Sequence, residues 1–473
     1  MPSDAVVDAR LHAARLLWQQ GQDEPAQCVI EGVLATDPTH AAAAMLLGRI
    51  LQGQGRLNAA CNVVANQCRA AGLTAPATGD AIQFIQHCQR QRLAAALCDE
   101  ALAQGHPGAE LRVLAGNLAR ELGRFDAARA HYLAALAAGV DLERWYVLGA
   151  LAAIQRYDTP AHEDFARLAA HFRDTSYSAR SRATAGLGLA KACDDVGDHA
   201  AAADALREAN RLLRQAQPWS PEAWSGWLAD RLRTMPAPAQ GSPDPDFVPI
   251  FIVGLPRSGT TLLASRLAGH ELVRDRGEPC LLDVIDRRLR GLGRGHDAAA
   301  LREAAALYCT HAVQDDSRAR WYIDKDPNNF RYLDLVAALF PQARIIHCRR
   351  GRPDTALSVW SQGFARSHYA FANDLGHIAD FFAGHDRLME HWRRHLPLPI
   401  HQVDYEAMVA DPASTLAELR RFVGIEAPAA PAALPSTAIA SASLWQARQP
   451  IYATSVGRWK HYAAHVPELH GFA

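Results

Sequence analysis

The sequence predicts two parts of different fold class: an all-α helical solenoid in the N-terminal half, and an α/β domain with a parallel sheet flanked by helices in the C-terminal half. Three observations predict this division. Small residues recur at a fixed interval in the first half, a proline-rich stretch follows residue 234, and apolar β-branched runs alternate with helical patterns beyond it. We therefore divide the chain into residues 1–234, a linker at 235–246, and a second domain at 247–473.

Composition limits the possible partners. The chain has 473 residues, of which 49% are hydrophobic, so it can bury more than one core. Its formal net charge is -1, which provides no global attraction to nucleic acid or to an anionic membrane. We therefore expect neither as a partner, and any anion-binding site has to be built locally.

The cysteines and the N-terminal residues indicate a compartment. Nine cysteines without paired spacing predict reduced, mostly buried thiols, so we expect a cytoplasmic protein. The first twenty residues lack an apolar core of signal-peptide length, and no apolar run approaches the 18 residues that predict a spanning helix. The basic residues are nearly all arginine, which is typical of a GC-rich bacterial genome. The three lysines are Lys191, Lys325 and Lys460.

The first half contains an internal repeat. Alanine recurs every 34 residues, three of the four alanines have a glycine five residues earlier, and two further glycines lie twelve residues before an alanine. The alanines are Ala26, Ala60, Ala94 and Ala128, and the glycines are Gly21, Gly55, Gly123, Gly48 and Gly116. Thirty-four residues is the tetratricopeptide period, with two helices per repeat. A later step from Gly197 to Ala202 is out of phase, and we expect five to six helix pairs up to about residue 230.

Two alternatives remain for this half. An alanine-rich helical bundle would match some of these positions by chance, although four in-phase alanines favour the repeat. The repeats could capture a peptide or protein in a groove or mediate self-association, or they could be a purely structural platform.

The second domain opens with a glycine loop between a strand and a helix. The run "FVPIFIVG" suits a buried parallel strand, "LPRSG" is a turn, and "TTLLASRLAGH" has helical spacing. Backbone N–H groups and the helix dipole at such a junction bind anions. Gly254 and Gly259 permit the tight path, and the side chains of Arg257, Ser258, Thr260 and Thr261 add donors.

This loop is P-loop-like but lacks the P-loop lysine, since Thr260 and Thr261 directly follow Gly259. Transfer of a phosphoryl group with roughly two negative charges relies on that lysine and on Mg2+. A sulfuryl group has a single negative charge. The loop therefore suits a phosphosulfate better than a triphosphate.

Together with the residues downstream, the stretch "PRSGTT" resembles the 5'-phosphosulfate-binding loop of sulfotransferases that use 3'-phosphoadenosine 5'-phosphosulfate (PAPS). The family also binds the 3'-phosphate through an arginine at a strand end and a serine eight residues later, which "ARIIHCRRGRPDTALSVW" matches with Arg350 and Ser358. Two details depart from the pattern: Gly351 replaces an expected proline, with Pro353 further on, and Arg349 is a second candidate arginine.

Other segments resemble protein-tyrosine sulfotransferases and the bacterial proteins that join tetratricopeptide repeats to a sulfotransferase domain. "RGEPC" places Glu278 where that subgroup has its general base, and "KDP" places Lys325 where its lysine stabilises the sulfuryl group. "SASLWQARQPIYATSVGRWKHY" resembles the segment that covers the cofactor, with Ser443 and Arg458 as candidate contacts. The resemblance implies PAPS as co-substrate, no required metal, and the catalytic residues Glu278, Lys325 and Arg257. It further implies cofactor contacts by Arg257, Ser258, Gly259, Thr260, Thr261, Arg350, Ser358, Ser443 and Arg458.

Simpler roles are possible for these residues. Glu278 could be a solvated helix-cap carboxylate, Lys325 could pair with a neighbouring aspartate, and Arg350 could form a surface ion pair with Asp354. His391 and His395 have helical spacing but no evident third metal ligand, so we interpret them as a polar helix face.

Two other functions also stay open: a degenerate P-loop kinase or NTPase, and a repeat scaffold with an inactive nucleotide-sensing domain. The acceptor hydroxyl could belong to a peptide tyrosine, a glycan, a lipid or a small molecule.

Overall fold

The computed structural model describes residues 4–74, 77–105, 108–239, 244–295, 297–316, 319–364, 366–425 and 455–473. Contacts divide the chain into two compact units. The first contains the described residues of 1–140 and 310–318, and the second contains those of 141–309 and 319–473. The domain limits at 234 and 247 follow the change in sequence character and remain a prediction. Within the second unit, the helices before residue 234 fold together with the sheet.

Eight helices in residues 4–137 form four consecutive pairs joined by short turns. They are α1 (Asp4–Gln19), α2 (Asp23–Thr36), α3 (Ala41–Gly53), α4 (Leu57–Ala70), α5 (Ala77–His87), α6 (Gln91–Ala103), α7 (Ala109–Glu121) and α8 (Phe125–Ala137). The four periodic alanines each occupy the fourth position of the second helix of a pair, and all four are fully buried. Gly116 is required by packing, because a Cβ there would lie 2.5 Å from the Tyr132 ring. The predicted helical repeat is therefore confirmed in these residues.

The regular succession of pairs is interrupted after α8, before a further helix pair at residues 179–216. The next two helices are short, and Tyr146 adopts a left-handed conformation between them. The following helices are α9 (Leu142–Trp145), α10 (Val147–Ala152), α11 (Glu163–Arg173), α12 (Ala179–Asp195), α13 (His199–Ala216) and α14 (Pro221–Arg233). The out-of-phase step from Gly197 to Ala202 lies at the turn between α12 and α13, where Ala202 is fully buried.

The second unit contains a five-stranded parallel sheet with the order β2-β3-β1-β4-β5. The strands are β1 (Val248–Gly254), β2 (Val273–Asp275), β3 (Trp321–Asp324), β4 (Arg344–Arg349) and β5 (Ile400–Asp404). Every residue of the central strand β1 is buried. This is expected for a parallel sheet that is covered on both faces. The predicted α/β fold with a parallel sheet is thus confirmed.

Among the residues that the structure describes, eight helices and four short 3₁₀ segments connect and follow the strands. The helices are α15 (Thr260–Leu267), α16 (Leu281–Gly291), α17 (Ala298–Val313), α18 (Leu333–Leu339), α19 (Arg352–Trp360), α20 (Leu375–His395), α21 (Tyr405–Ala410) and α22 (Pro412–Val423). The 3₁₀ segments are Pro327–Tyr332, Ser367–Asn373, Arg458–His461 and Pro467–Phe472. One core cluster packs Leu263 of α15 and Leu419 of α22 against Ile250 and Ile252 of β1.

A buried charge cluster connects α14 with the helices of the sheet domain. Arg231 is 1% exposed, and its guanidinium lies 2.6 Å from an Asp286 oxygen and 2.8 Å from an Asp334 oxygen. Buried carboxylates need such a partner, because a charge without one is costly in the interior. Helix α14 is therefore part of the same folded unit as the sheet.

Two further findings concern the whole described chain. All nine cysteines are thiols rather than disulfides, and seven of them are buried. Among the helices in the described ranges, none has both the length and the hydropathy that crossing a membrane demands.

Candidate active site

The glycine loop lies at the carboxyl end of β1, the central strand, where open parallel sheets bind ligands. Gly254 and Gly259 have φ values of +152° and +103°. A Cβ on Gly254 would lie 2.4 Å from the Cys348 carbonyl oxygen, and a Cβ on Gly259 would lie 2.7 Å from the Tyr405 ring. Both positions therefore need glycine for conformation and for packing.

The loop presents a buried set of hydroxyl groups at the start of α15. Ser258, Thr260 and Thr261 are 2%, 5% and 6% exposed. The Ser258 hydroxyl lies beside Gly254, since its oxygen is 3.1 Å from the position of a Cβ there. It is buried and has no hydrogen-bond partner within the described ranges. A buried hydroxyl without a partner is costly, so its position fits an oxyanion held inside the loop.

Hydrogen bonds join this loop to the end of the neighbouring strand β4. Arg257 Nε donates to Ser358 Oγ at 3.1 Å, and Arg350 Nη1 donates to the Arg257 carbonyl at 3.1 Å. Arg349 points elsewhere: its guanidinium is 3.7 Å from Asp404, and both side chains are more than half exposed. Of the two candidate arginines, Arg350 is therefore the one at the loop.

The predicted catalytic pair meets on the other side of β1. Lys325 follows β3 and Glu278 follows β2, and the Lys325 ammonium donates to Glu278 Oε1 at 2.8 Å. Lys325 is 5% and Glu278 is 21% exposed at the side chain. Burial alone would lower the pKa of Lys325, but the carboxylates of Glu278, Asp275 and Asp326 outweigh it and raise the pKa. The ammonium is thus held charged beside the carboxylate, rather than pairing with Asp324.

A second layer of contacts supports this pair and was not predicted. Asp324 is buried, and burial together with the neighbouring Asp326 raises its pKa to about 7. The Cys280 thiol donates to Asp326 Oδ2 at 3.1 Å and also contacts the Arg366 guanidinium. Burial and Asp326 raise the pKa of Cys280, so the group is a neutral thiol. These contacts connect the segment of Glu278 to that of Lys325, but no residue spacing signals them.

The C-terminal candidates differ in position. Ser443 lies outside the described residues. Arg458 is described, and its guanidinium donates to Asp194 Oδ2 at 2.7 Å. Asp354 accepts hydrogen bonds from the backbone N–H groups of Gly457 and Trp459, at 2.6 and 2.9 Å, so its carboxylate anchors this segment. The alternative of an Arg350–Asp354 surface pair is not what the structure shows.

The two histidines with helical spacing bond to backbone carbonyls. His391 Nε2 lies 3.2 Å from the Thr234 oxygen, and His395 Nδ1 lies 2.9 Å from the His391 oxygen. In the part of the chain that the structure describes, no group of three or more His, Cys, Asp and Glu side chains could hold a metal ion.

The arrangement combines two chemical functions at one edge of the sheet. The first is an anion cradle made of a helix N-terminus, buried hydroxyls and two arginines. The second is a carboxylate paired with a buried ammonium, which can accept a proton while the cation stays in place. The residues that provide these two functions lie in the segments after the carboxyl ends of β1, β2, β3 and β4.

Comparison with known proteins identifies the same region. Residues 249–429 match the model of the sulfotransferase family. The chain is 31% identical over 314 residues to an uncharacterized protein of Aquifex aeolicus (strain VF5), which covers 60% of this chain and 40% of that protein. It is 29% identical over 194 residues to protein-tyrosine sulfotransferase 1 of Danio rerio, which covers 37% of this chain and 53% of that protein.

Among solved structures, the chain is similar to the sulfotransferase domain of the Synechococcus PCC 7002 olefin synthase. The TM-score is 0.36 and the sequence identity 22%, and the match covers 51% of this chain and 98% of that one. Another is PilW, a type IV pilus biogenesis factor, with a TM-score of 0.29, 19% identity, and coverage of 46% and 96%. The chain spans about half or less of the length of the two relatives matched by sequence. The family match agrees with the resemblance seen in the motifs and places the similarity to sulfotransferases in residues 249–429 of this chain.

Proposed function

We propose that this protein transfers the sulfuryl group of PAPS to an acceptor hydroxyl and releases 3',5'-adenosine diphosphate. The observation that carries the proposal is the hydrogen-bonded chain Arg350–Arg257–Ser358, which joins the glycine loop to the end of β4. A ligand with an anionic group at each end would engage both elements at once. PAPS has this character, with a 5'-phosphosulfate and a 3'-phosphate on one nucleoside.

The binding roles follow from the burial of these groups and from their position at the start of α15 and the end of β4. The backbone N–H groups of residues 258–261 and the hydroxyls of Ser258, Thr260 and Thr261 would hold the 5'-phosphosulfate. Arg350 and Ser358 would bind the 3'-phosphate. Arg350 Nε supports this role, because it is buried and has no hydrogen-bond partner in the described ranges. The role of Arg458 as a further contact also stays a proposal.

The chemical step needs a base and a stabiliser of the leaving group. Glu278 accepts the acceptor hydroxyl proton as that oxygen attacks sulfur, while the bond from sulfur to the 5'-phosphate oxygen breaks and its electron pair stays on the phosphate. Lys325 lies 2.8 Å from Glu278, so protonation of Glu278 removes the nearest of the carboxylate charges that balance the ammonium. The ammonium is then available to the phosphate oxygen at the moment when negative charge develops there. Arg257 supplies a second positive charge inside the loop.

Calorimetric titration with 3',5'-adenosine diphosphate tests the binding half of the proposal. We expect the wild-type protein to bind it and Arg350→Ala to bind at least about tenfold more weakly, because a charge-assisted contact is lost. Arg349→Ala is the matched control, since its exposed side chain faces Asp404. Binding of ATP with Mg2+ alone would revive the kinase hypothesis, and binding of neither nucleotide would turn attention to a scaffold role.

A turnover assay tests the chemical half. Glu278→Gln keeps the size and hydrogen-bonding ability of the side chain but removes its basicity. We expect it to bind 3',5'-adenosine diphosphate like the wild type while sulfuryl transfer falls by about 10²–10⁴-fold. Unchanged turnover would show that another group takes the proton.

For the acceptor, we propose that peptide tyrosine is the first class to test. The relative from Danio rerio is named a protein-tyrosine sulfotransferase, and helical repeats can present a peptide-binding groove. Incubation with PAPS and tyrosine peptides, followed by mass spectrometry, should detect the added sulfuryl group. Transfer to small phenols or glycans but to no peptide would contradict this acceptor while leaving the sulfotransferase proposal intact.

A further inference from the structure

The C-terminal turn, defined as residues 455–462, is attached to the nucleotide-facing edge of the sheet. Arg350 Nη2 donates to the Ser455 carbonyl at 2.7 Å, and the hydroxyls of Tyr405 and Ser455 lie 2.8 Å apart. Asp354 accepts the N–H groups of Gly457 and Trp459. Because Arg350 also bonds to the glycine loop, this turn borders the proposed nucleotide site.

The other end of the turn is held by a residue far away in the sequence. Asp194, in the last turn of α12, accepts from Arg458 Nη2 through Oδ2 at 2.7 Å and from the Tyr462 hydroxyl through Oδ1 at 2.5 Å. Tyr462 is 1% exposed, and the Asp194 side chain is 17% exposed. A single carboxylate therefore fixes two side chains of the turn, four positions apart.

We infer that Asp194 is a positioning residue for nucleotide binding: it orients Arg458 toward the bound nucleotide from the helical region before the sheet. This inference rests on the proposed function. A guanidinium has five N–H donors, and Asp194 engages one of its terminal nitrogens, so Arg458 can bind a second anion while it stays anchored. An arginine already fixed in one orientation loses less conformational freedom when it binds the ligand.

Other contacts of the helix pair α12 and α13 agree with a role at the proposed nucleotide site. In α13, Asn210 Nδ2 donates to the Trp360 carbonyl at 2.9 Å, and Trp360 ends α19, the helix that carries Asp354 and Ser358. Helices α12 and α13 are thus packed against the elements of the nucleotide site. Asp194 and Arg458 both lie outside residues 249–429, the part that matches the family model.

The test compares Asp194→Asn with the wild-type protein in titrations with 3',5'-adenosine diphosphate and in PAPS turnover. We expect about tenfold weaker binding and a similar rise in the KM for PAPS, because Arg458 loses its anchor. The kcat and the KM for the acceptor should change by less than about twofold, since Asp194 does not contact the reacting atoms. Asp194→Glu, which retains the charge, should restore part of the binding.

Two further variants separate positioning from folding. Arg458→Gln should weaken binding by itself, and it should add little to Asp194→Asn, because both remove the same contact. Arg207→Gln is the matched control: it breaks the exposed Arg207–Glu468 pair, which joins α13 to the last 3₁₀ segment, and should leave binding unchanged. If Asp194→Asn does not fold, the Asp194→Glu and Arg458→Gln titrations decide the question.

The outcomes distinguish the two proposals. If the wild-type protein does not bind 3',5'-adenosine diphosphate, the proposed function fails. If the wild type binds and Asp194→Asn binds equally well, or if the effects of Asp194→Asn and Arg458→Gln add in full, the positioning role of Asp194 is refuted while the proposed function stands.

Discussion

The buried pair of Lys325 and Glu278 predicts a specific pattern of stability changes. The ammonium and the carboxylate are 2.8 Å apart, with side chains 5% and 21% exposed. Removing one partner of a buried pair leaves a charge without compensation, at a cost of about 3–5 kcal/mol for full burial. Glu278 is partly hydrated, and Lys325 retains Asp275 and Asp326 nearby. We therefore expect about 2–3 kcal/mol for Lys325→Met and for Glu278→Gln.

The double variant should cost less than the sum of the single variants. With both charges absent, only the lost packing and hydrogen bonds remain, and we expect about 1–2 kcal/mol. The resulting coupling free energy, which is the sum of the two single costs minus the cost of the double variant, is about 3–4 kcal/mol. Urea unfolding followed by tryptophan fluorescence measures it, because nine of the ten tryptophans lie outside residues 1–140 and so report on the unit that contains the sheet.

Two results would refute this reasoning. Additive stability changes would mean that the two groups do not interact in solution, and a Lys325→Met protein as stable as the wild type would mean that Glu278 needs no partner. Turnover adds an independent readout, since all three variants should lose it while Glu278→Gln still binds 3',5'-adenosine diphosphate.

Two further predictions concern the glycine loop and pH. Gly259→Ala places a Cβ 2.7 Å from the Tyr405 ring at φ +103°, so nucleotide binding should fall at least about tenfold; Gly424→Ala, also at positive φ but with no atom within 4 Å, should reduce stability without changing binding. Burial and two nearby arginines lower the pKa of His347 to about 3, so the contribution of this group to the free energy of unfolding falls as the pH drops below ~6.5. Asp324 behaves in the opposite way: its folded pKa is about 7, so its contribution falls as the pH rises from ~4 to ~7. Near pH 5.5, His347→Gln should lower the slope of unfolding free energy against pH by ~1.4 kcal/mol per pH unit, and Asp324→Asn should raise it by the same amount. Urea titrations at several pH values measure these slopes, and slopes equal to that of the wild type would contradict both assignments.

The 34-residue periodicity of alanine predicted the repeat because one position in each helix pair accepts only a small residue. Ala26, Ala60, Ala94 and Ala128 each occupy the fourth position of the second helix of a pair and are fully buried, so a larger side chain there would have no room. The position five residues before each alanine does not require glycine. Its counterpart before Ala94 is Gln89, which adopts φ +58° in the same turn, so the turn is kept while the residue type varies.

The anion loop could be predicted because its elements are consecutive in the chain, whereas several partners could not. Glu278 and Lys325 were found by resemblance, but their hydrogen bond depends on β2 and β3 being neighbours, which only the sheet order establishes. Cys280 and Asp194 contact residues 46 and 264 positions away, respectively. A local sequence pattern cannot indicate such a contact, because the two partners lie in segments that are far apart in the chain.

The limit between the helical repeats and the α/β domain also depends on long-range contacts. The sequence predicts a break at residues 235–246, yet Arg231 lies before that break and neutralises Asp286 and Asp334 beyond it. Burial already raises the pKa of Asp334, and without the guanidinium its ionisation would be costlier still. We therefore expect a fragment of residues 247–473 to unfold without cooperativity, whereas residues 141–473 retain Arg231 and should show a cooperative urea transition. A cooperative transition of the shorter fragment would show that the helices before residue 235 are dispensable for this fold, and would weaken any role for them at the nucleotide site.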